Sequence, residues 1–309
     1  MGKSFVLIFH KEENGQLFEK IIIALKARYK LLSLEQLEEL LISKKEIKNN
    51  CHISFDDGDR SFYNITFPLL KKHNIPVSLF VSPDIISTNT NFWFQETGDY
   101  NEEILKSILS KYLDIPAAKL NEFSSQSIFK CLQVKDIKNV IELYRQQTDC
   151  GKKAPQNMNL EQLKELEASG LITIGAHTIS HPILKNESDE NCFYEIAGSI
   201  KALEKLLGHR IRYFAYPNGR PGIDFGEREI SYLQQNGITM AFSSELNTLS
   251  AGTELFSVPR MGFARMGLVP SNPLIAFRLN AGKRWFDIRS IGKPTEKEIR
   301  ERIKRVLAG

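Results

Sequence analysis

The sequence ISFDDGDRSF, residues 53–62, places two adjacent carboxylates directly after a short apolar run. Ile53, Ser54 and Phe55 are typical of the end of a buried strand. Asp56 and Asp57 then hold two like charges a few ångströms apart, which costs free energy unless a cation lies nearby or one carboxyl group is protonated. The segment therefore predicts a strand that ends in a site with a positive partner.

Short apolar runs recur along the chain and alternate with amphipathic helical patterns. This alternation predicts parallel strands joined by right-handed crossovers. On pattern alone, a barrel and a doubly wound sheet fit equally well. The seven predicted strands are Phe5–Phe9, His52–Phe55, Val77–Val81, Leu171–Ala176, Ile211–Tyr216, Thr239–Ser243 and Phe256–Pro259.

The segment between the third and fourth predicted strands, residues 84–158, is too long for a structureless loop. It begins with an aromatic cluster, Phe92, Trp93 and Phe94, and continues with largely helical patterns. We therefore predict a helical insertion over one face of the sheet. The aromatic cluster either packs inside this insertion or offers a stacking surface for a ligand.

The C-terminal tail, residues 294–309, contains an apolar stripe at helical spacing beside several basic residues, and Ile299 and Ile303 belong to it. This pattern favours a helix packed on the domain. Contact with a membrane surface through the basic face is the other interpretation.

Composition limits the class of protein. The chain has 309 residues, of which 42% are hydrophobic and 25% charged, an ordinary globular profile. The net charge of +4 is too small to indicate a nucleic-acid partner. The four cysteines lie far apart without a C-x-x-C pair, which favours reduced thiols. The apolar run Phe5–Phe9 is shorter than a signal-peptide core, and no apolar stretch is long enough to span a membrane. We therefore expect a cytoplasmic protein.

Two of the six histidines follow a predicted strand. His177 and His181 occur in GAHTISHPIL, directly after LITIGA. An H-x-x-x-H pair alone is weak evidence, but here a carboxylate pair ends another parallel strand. Two imidazoles and one carboxylate suit Zn²⁺ or a similar divalent ion and leave positions open for water and substrate. By contrast, we interpret His52 as a core residue, and His73 and His209 as surface residues.

Three motifs, SFDDG at 54–58, HTISHP at 177–182 and FAYPNG at 214–219, together resemble the NodB-type polysaccharide deacetylases. The resemblance extends over roughly residues 5–261. Within the family, the sequence resembles the branch that includes poly-N-acetylglucosamine deacetylases. It implies a distorted seven-stranded parallel (β/α) barrel within a single domain over residues 1–309. It also implies a metal-dependent hydrolase that removes an N-acetyl group from an amino sugar in a glycan, glycolipid or sugar precursor.

The resemblance also implies roles for the two aspartates. Asp57 would bind the metal together with His177 and His181, and the metal would be zinc, with cobalt, nickel or manganese as alternatives. Asp56 would act as general base on a bound water. The positive partner of the carboxylate pair would then be the metal ion itself.

The remaining roles depart from the commonest family pattern. No histidine follows His209, so the late L-x-H motif that supplies a general acid in many relatives is absent. His10, directly after the first predicted strand, is the expected substitute. Ala215 stands where many relatives have an arginine that orients the base, and Arg260 is the expected replacement.

Three residues are expected to contact substrate: Tyr216 and Asn218 in the third motif, and Trp93 in the insertion. Asn218 stands where an aromatic residue is frequent, but the motif contributes a backbone N–H to the oxyanion, so this change need not abolish it. Two alternatives remain open at this point. One is a catalytically silent glycan-binding relative, and the other is an amidohydrolase of a non-sugar amide.

Overall fold

Eight short strands form one sheet in the computed structural model, which describes residues 2–45, 47–262 and 294–309. All the strand pairings are parallel. The strands are β1 (Phe5–Phe9), β2 (Lys30–Leu31), β3 (Asn50–Asp56), β4 (Val77–Val81), β5 (Ile172–Ala176), β6 (Tyr213–Ala215), β7 (Met240–Phe242) and β8 (Arg260–Gly262).

The strand order closes the sheet into a barrel. Seven strands follow the order β7-β6-β5-β4-β3-β1-β8, and β2 pairs with β3 outside this path. At the remaining gap, Val258 lies beside β7: its N–H donates to the carbonyl of Ala241, and its own carbonyl accepts the N–H of Ser243, both at 2.9 Å. The seven strands therefore form a nearly closed parallel barrel, and the predicted fold class is confirmed.

Two strands differ from the sequence prediction. The run Phe256–Pro259 is not the last strand, because Leu255–Ser257 forms a 3-10 turn and β8 begins only at Arg260. Pro259 has no N–H to donate to a neighbouring strand, so regular pairing starts after it. The two-residue β2 is too short to produce an alternating pattern in the sequence.

Alternate residues of β3 face the barrel interior, and these positions are polar. His52 lies deepest: its Nδ1 is 2.9 Å from the carbonyl oxygen of Leu32, and its Nε2 is 2.8 Å from Oγ of Ser78. Ser54 and Asp56 follow on the same face. Because every second side chain of this strand is polar and buried, the barrel interior is built to carry a polar site at its carboxyl end.

Helices surround the barrel and fill the connection between β4 and β5. In chain order they are α1 (Gly15–Lys26), α2 (Leu34–Ile42), α3 (Phe67–His73), α4 (Pro83–Thr88), α5 (Trp93–Thr97), α6 (Glu102–Leu113), α7 (Ala117–Leu120), α8 (Ser125–Phe129), α9 (Val134–Thr148), α10 (Leu160–Ala168), α11 (Asp189–Phe193), α12 (Ser199–Leu207), α13 (Glu227–Gln235) and α14 (Glu296–Leu307). Short π-helical turns occur at Phe62–Thr66 and Tyr194–Gly198.

The helices α5 to α9 share a second apolar cluster, separate from the core around the barrel. The C-terminal helix α14 packs into this cluster through Ile303, which is fully buried, and through the flanking Ile299. Arg300 of α14 also pairs with the buried Asp224. The apolar stripe of the tail thus contacts the insertion, while contact of the basic face with a membrane surface remains untested. None of the described helices combines the length and apolar character needed to cross a bilayer.

Gly175 in β5 is required by close packing inside the barrel. A Cβ atom at this position would lie 2.5 Å from the ring of Phe80 and 3.0 Å from the carbonyl oxygen of Tyr213. We expect Gly175→Ala to lower the free energy of unfolding by about 1–3 kcal/mol, the usual cost of overpacking, as measured by chemical denaturation.

The matched control is Gly151→Ala, at an exposed glycine with no atom within 4 Å of a Cβ. This variant should be as stable as the parent or slightly more stable. Equal stability of Gly175→Ala and the parent protein would contradict the packing argument.

Candidate metal and catalytic site

The carboxyl ends of the barrel strands open into a cavity of about 480 Å³. Active sites of parallel β/α barrels lie at this end, because the loops that follow the strands converge there. All the candidate site residues of the sequence analysis line this cavity: His10, Asp56, Asp57, Trp93, His177, His181, Tyr216, Asn218 and Arg260.

Four loop residues of the site have left-handed backbone angles, although none is glycine. The φ angles are 71° at Asp57, 64° at Thr178, 60° at His181 and 56° at Asn218. Such conformations cost about 1–3 kcal/mol each and persist only where the surroundings hold them. Thr178 is the most unusual because it is β-branched. The two loops that carry the candidate metal ligands are therefore held in shape by the rest of the fold.

A buried glutamate, Glu195, does much of this holding. One of its carboxylate oxygens accepts the backbone N–H groups of Ile179 and Ser180, both at 2.9 Å, and the other accepts the Ser180 hydroxyl at 2.6 Å. Its side chain thereby fixes the backbone between the two histidines. Sequence reasoning missed this residue, because the segment around it carries no motif.

Asp57, His177 and His181 form a buried cluster. Oδ1 of Asp57 lies 3.6 Å from Nε2 of each histidine, and ligand atoms of the three residues lie within 4.8 Å of one another. These distances are too long for hydrogen bonds but suitable for atoms that share one ion. His177 donates its Nδ1–H to the carbonyl of Ala215 at 2.6 Å, so its Nε2 keeps a free lone pair.

An unpartnered carboxylate oxygen in this cluster supports a metal ion. Oδ1 of Asp57 is buried and has no hydrogen-bond partner in the described part of the chain. A buried atom of this kind is costly unless something binds it. Two imidazoles and a carboxylate also match the donors that zinc and similar divalent ions prefer. The residues present therefore fit a metal ion, and they could hold one.

The electrostatics of the cluster agree with this. Burial lowers the pKa of His177 to about 4 and also lowers the pKa of His181, so both rings are neutral and able to bind a cation. Burial, together with the charge of Asp56, raises the pKa of Asp57 well above its ordinary value. A cation between these side chains would reverse that shift and keep Asp57 ionised.

Asp56 has a different positive partner, Arg260. The guanidinium group donates two hydrogen bonds to the carboxylate, at 2.7 and 2.8 Å, and both side chains are almost completely buried. Arg260 also donates from Nε to the carbonyl of Ser243 at 3.0 Å, and its guanidinium carbon lies 5.5 and 5.8 Å from the ring centroids of Phe80 and Phe242. Burial alone would raise the pKa of Asp56, but the guanidinium charge brings it down to about 2.

His10 lies on the loop after β1, at the rim of the cavity, and its side chain is exposed. The structure thus places this imidazole in the wall of the cavity that Asp56 and His177 also line, while its role as proton donor stays a prediction.

The third motif contributes Tyr216 and Asn218 to the lining of the cavity. The Tyr216 ring is buried and stacks on Phe225 with 3.6 Å between centroids, and the backbone N–H of Tyr216 donates to the carbonyl of Phe242. The N–H of Gly219 donates to Pro217. In the described residues the N–H of Asn218 has no acceptor. Of these three N–H groups, only that of Asn218 is available to a ligand.

The aromatic cluster of the insertion packs against His181. Trp93, which exposes only 6% of its surface, donates its indole N–H to the carbonyl of His181 at 3.0 Å. The rings of Phe92 and Phe94 meet the imidazole edge to face, with centroids 5.4 and 5.0 Å away. Trp93 and Phe94 also line the cavity, so the cluster both supports a candidate metal ligand and forms one wall of the site.

Comparison with known proteins identifies the family. The sequence model described as polysaccharide deacetylase matches residues 43–241, more than half of the chain. The chain belongs to the polysaccharide deacetylase family. The matched region contains all three motifs, and the family resemblance seen in the sequence is thereby confirmed. No curated protein matches the sequence.

Solved structures with a similar fold include the Streptococcus pyogenes deacetylase PplD in complex with acetate, with a TM-score of 0.56 and 19% identity over 84% of this chain and 92% of that one. IcaB from Ammonifex degensii has a TM-score of 0.56 and 20% identity, over 89% of this chain and 96% of that one. A de-N-acetylase from Aggregatibacter actinomycetemcomitans has a TM-score of 0.52 and 18% identity, over 84% and 94% respectively. At these identities the likeness concerns the fold.

Breaking the buried pair Asp56–Arg260 should destabilise this deacetylase-family chain. We expect Arg260→Met to lower the free energy of unfolding by about 3–5 kcal/mol, because it leaves Asp56 as a buried charge without a partner. Adding Asp56→Asn should recover part of the loss, since the uncompensated charge is then gone. Chemical denaturation of both variants measures this.

The control is Arg302→Met. Arg302 pairs with Glu122 on the surface, and both side chains are about half exposed. Its loss should change stability by no more than about 1 kcal/mol. An Arg260→Met variant as stable as the control would show that the buried pair does not support the fold.

Proposed function

We propose that the protein is a metal-dependent carbohydrate N-deacetylase, which hydrolyses the N-acetyl group of an amino sugar. The observation that carries this proposal is the juxtaposition of two differently paired carboxylates at one cavity. Asp57 faces His177 and His181, while Asp56 is held by Arg260. Membership of the polysaccharide deacetylase family supports the carbohydrate substrate. A protein that only binds glycans has no need of this whole set.

Asp57, His177 and His181 are the proposed metal ligands, and zinc is the proposed metal, with cobalt, nickel or manganese as alternatives. A divalent ion at this position would polarise the amide carbonyl and lower the pKa of water. Asp57 and the two neutral imidazoles would orient that ion, and the carbonyl of Ala215 fixes the ring of His177.

Asp56 is the proposed general base. Arg260 occupies one lone pair on each carboxylate oxygen, which keeps the group ionised and leaves further lone pairs for a water proton. Oδ2 of Asp56 lies 3.9 Å from Nε2 of His177, which places the base beside the proposed metal ligands. Arg260 is therefore a positioning residue. It would replace the arginine that many relatives have at the position of Ala215.

His10 is the proposed general acid, since it brings an imidazole to the rim of the same cavity and could protonate the leaving amine near neutral pH. The N–H of Asn218 is the proposed backbone donor to the carbonyl oxygen that develops negative charge. Tyr216 and Trp93, with the neighbouring Phe94, would form the walls against which the sugar packs.

The substrate is proposed as an N-acetylated sugar in a glycan, glycolipid or sugar precursor. A cytoplasmic location is supported by the cysteines, since Cys51, Cys131, Cys150 and Cys192 are all free thiols.

The metal ligands and the base should separate by experiment. We expect His177→Ala and His181→Ala to lose most of the bound metal, as measured by elemental analysis of purified protein. Both variants should also lose acetate release from N-acetylglucosamine oligomers. Asp56→Asn should retain metal but lose about 10²–10⁴-fold in turnover.

His209→Ala is the control, because His209 is a surface residue paired with Glu167. It should keep both metal and activity. Unchanged metal content in both His177→Ala and His181→Ala would remove the metal assignment.

His10→Ala tests the general acid. With Asp56 ionised and His10 protonated in the active form, kcat/KM should fall on the alkaline side as His10 loses its proton. Because the pKa of Asp56 is about 2, protonation of the base should lower kcat/KM only in strongly acidic solution. In His10→Ala the alkaline limb should flatten and the rate should fall sharply, while metal content stays unchanged.

His73→Ala is the matched variant, since His73 pairs with Glu19 away from the cavity. It should keep the parent profile. An alkaline limb that survives in His10→Ala would assign the proton to another donor.

A further inference from the structure

Glu12 is a carboxyl group of the cavity that the proposed mechanism does not use. It lies two residues after His10 and lines the same space as Asp57 and His181. Its backbone N–H donates to Oγ of Ser61 at 3.1 Å, in the loop that follows the carboxylate pair. The position of Glu12 is therefore fixed relative to the site.

The carboxyl group of Glu12 has no hydrogen bond or ion pair in the described part of the chain, although the side chain is half-buried. Burial raises its pKa to about 7, and no opposing charge reduces this shift. A carboxyl group in such a place is costly unless a ligand supplies a partner.

Most basic groups around the cavity already have acidic partners. Lys11 pairs with Glu13 at 2.6 Å, and Lys130 pairs with Glu296 at 3.6 Å. Arg260 is committed to Asp56, as described above. The unpaired carboxyl group therefore favours a cation brought by the ligand, and a divalent ion at Asp57 would further favour the ionised form of Glu12.

We propose that Glu12 binds the ammonium group of an amino sugar that has already lost its acetyl group. This inference rests on the proposed function and specifies which sugar chains the site prefers. A free ammonium donates charge-assisted hydrogen bonds to a carboxylate, whereas an N-acetyl group is neutral and offers a single N–H. Glu12 thus makes the cavity favour chains that carry free amines over fully acetylated ones.

The test compares two oligosaccharides of equal length, a glucosamine oligomer and an N-acetylglucosamine oligomer, by calorimetric titration into metal-loaded protein. The parent protein should bind the glucosamine oligomer more tightly. Glu12→Gln should lose about ten-fold in affinity for it, the loss expected for one hydrogen bond to a charged group. Glu12→Asp keeps the charge and should restore part of the preference.

Glu190→Gln is the control, because Glu190 is an exposed carboxylate that does not line the cavity, and its loss leaves the pair of Lys11 and Glu13 intact. It should keep the parent affinities for both oligomers. Glu12→Gln should also unfold at the same temperature as the parent or higher, because a neutral amide replaces an unpaired carboxyl group. This measurement separates a lost contact from a damaged fold.

The inference fails if the parent binds both oligomers equally, or if Glu12→Gln weakens both by the same factor. The second result would mean that Glu12 contacts sugar hydroxyls instead. Acetate release by the parent protein tests the proposed function separately. Activity without the amine preference would overturn the inference alone, and an amine preference without activity would overturn the proposed function alone.

Discussion

The site depends on how the fold separates the charges of two adjacent carboxylates. Asp56 and Asp57 are both buried, and each needs its own positive partner. Asp56 ends a strand with its side chain in the barrel, where Arg260 binds it. Asp57 has a left-handed backbone, and its carboxylate faces the histidine pair. A guanidinium can therefore pair with Asp56 while a divalent ion binds Asp57, so that each carboxylate has its own positive partner.

This separation requires barrel closure. Arg260 donates to Asp56 at the end of β3 and also to the carbonyl of Ser243, which follows β7. β3 and β7 lie four positions apart in the strand order, so a single side chain reaches both only because the sheet curves round on itself. An open doubly wound sheet would leave these ends far apart. The apolar pattern fits a barrel and a doubly wound sheet equally well. The contacts of Arg260 are possible only in the barrel.

The residues that line this cavity could be predicted from the sequence, because the candidate metal ligands follow strands directly. A carboxylate pair after one apolar run and an H-x-x-x-H pair after another indicate neighbouring positions once the strands are parallel. Resemblance to the family implies the roles proposed above. Ala215 stands where many relatives have an arginine, and the structure places the expected replacement, Arg260, within hydrogen-bond distance of Asp56.

What the sequence did not reveal depends on contacts between distant segments. Glu195 holds the histidine loop, yet it lies within a helical pattern like those of many surface helices. Glu12 follows a strand, but only the fold shows that its carboxyl group has no partner among the described residues. The last strand was displaced because Pro259 interrupts pairing, and the two-residue β2 had no pattern to detect. Buried polar partners of this kind have no periodicity that a sequence could display.

The insertion contacts the loop of the candidate metal ligand His181 as well as the cavity. The indole of Trp93 binds the carbonyl of His181, and this residue has a left-handed backbone that its surroundings must maintain. Because Trp93 belongs to the apolar cluster that also receives α14, packing far from the site supports the position of a candidate metal ligand. The aromatic rings around His181 also keep that side of the cavity apolar. In such surroundings the attraction between a cation and its ligands is stronger than in water, so the same contacts that shape the wall favour metal binding.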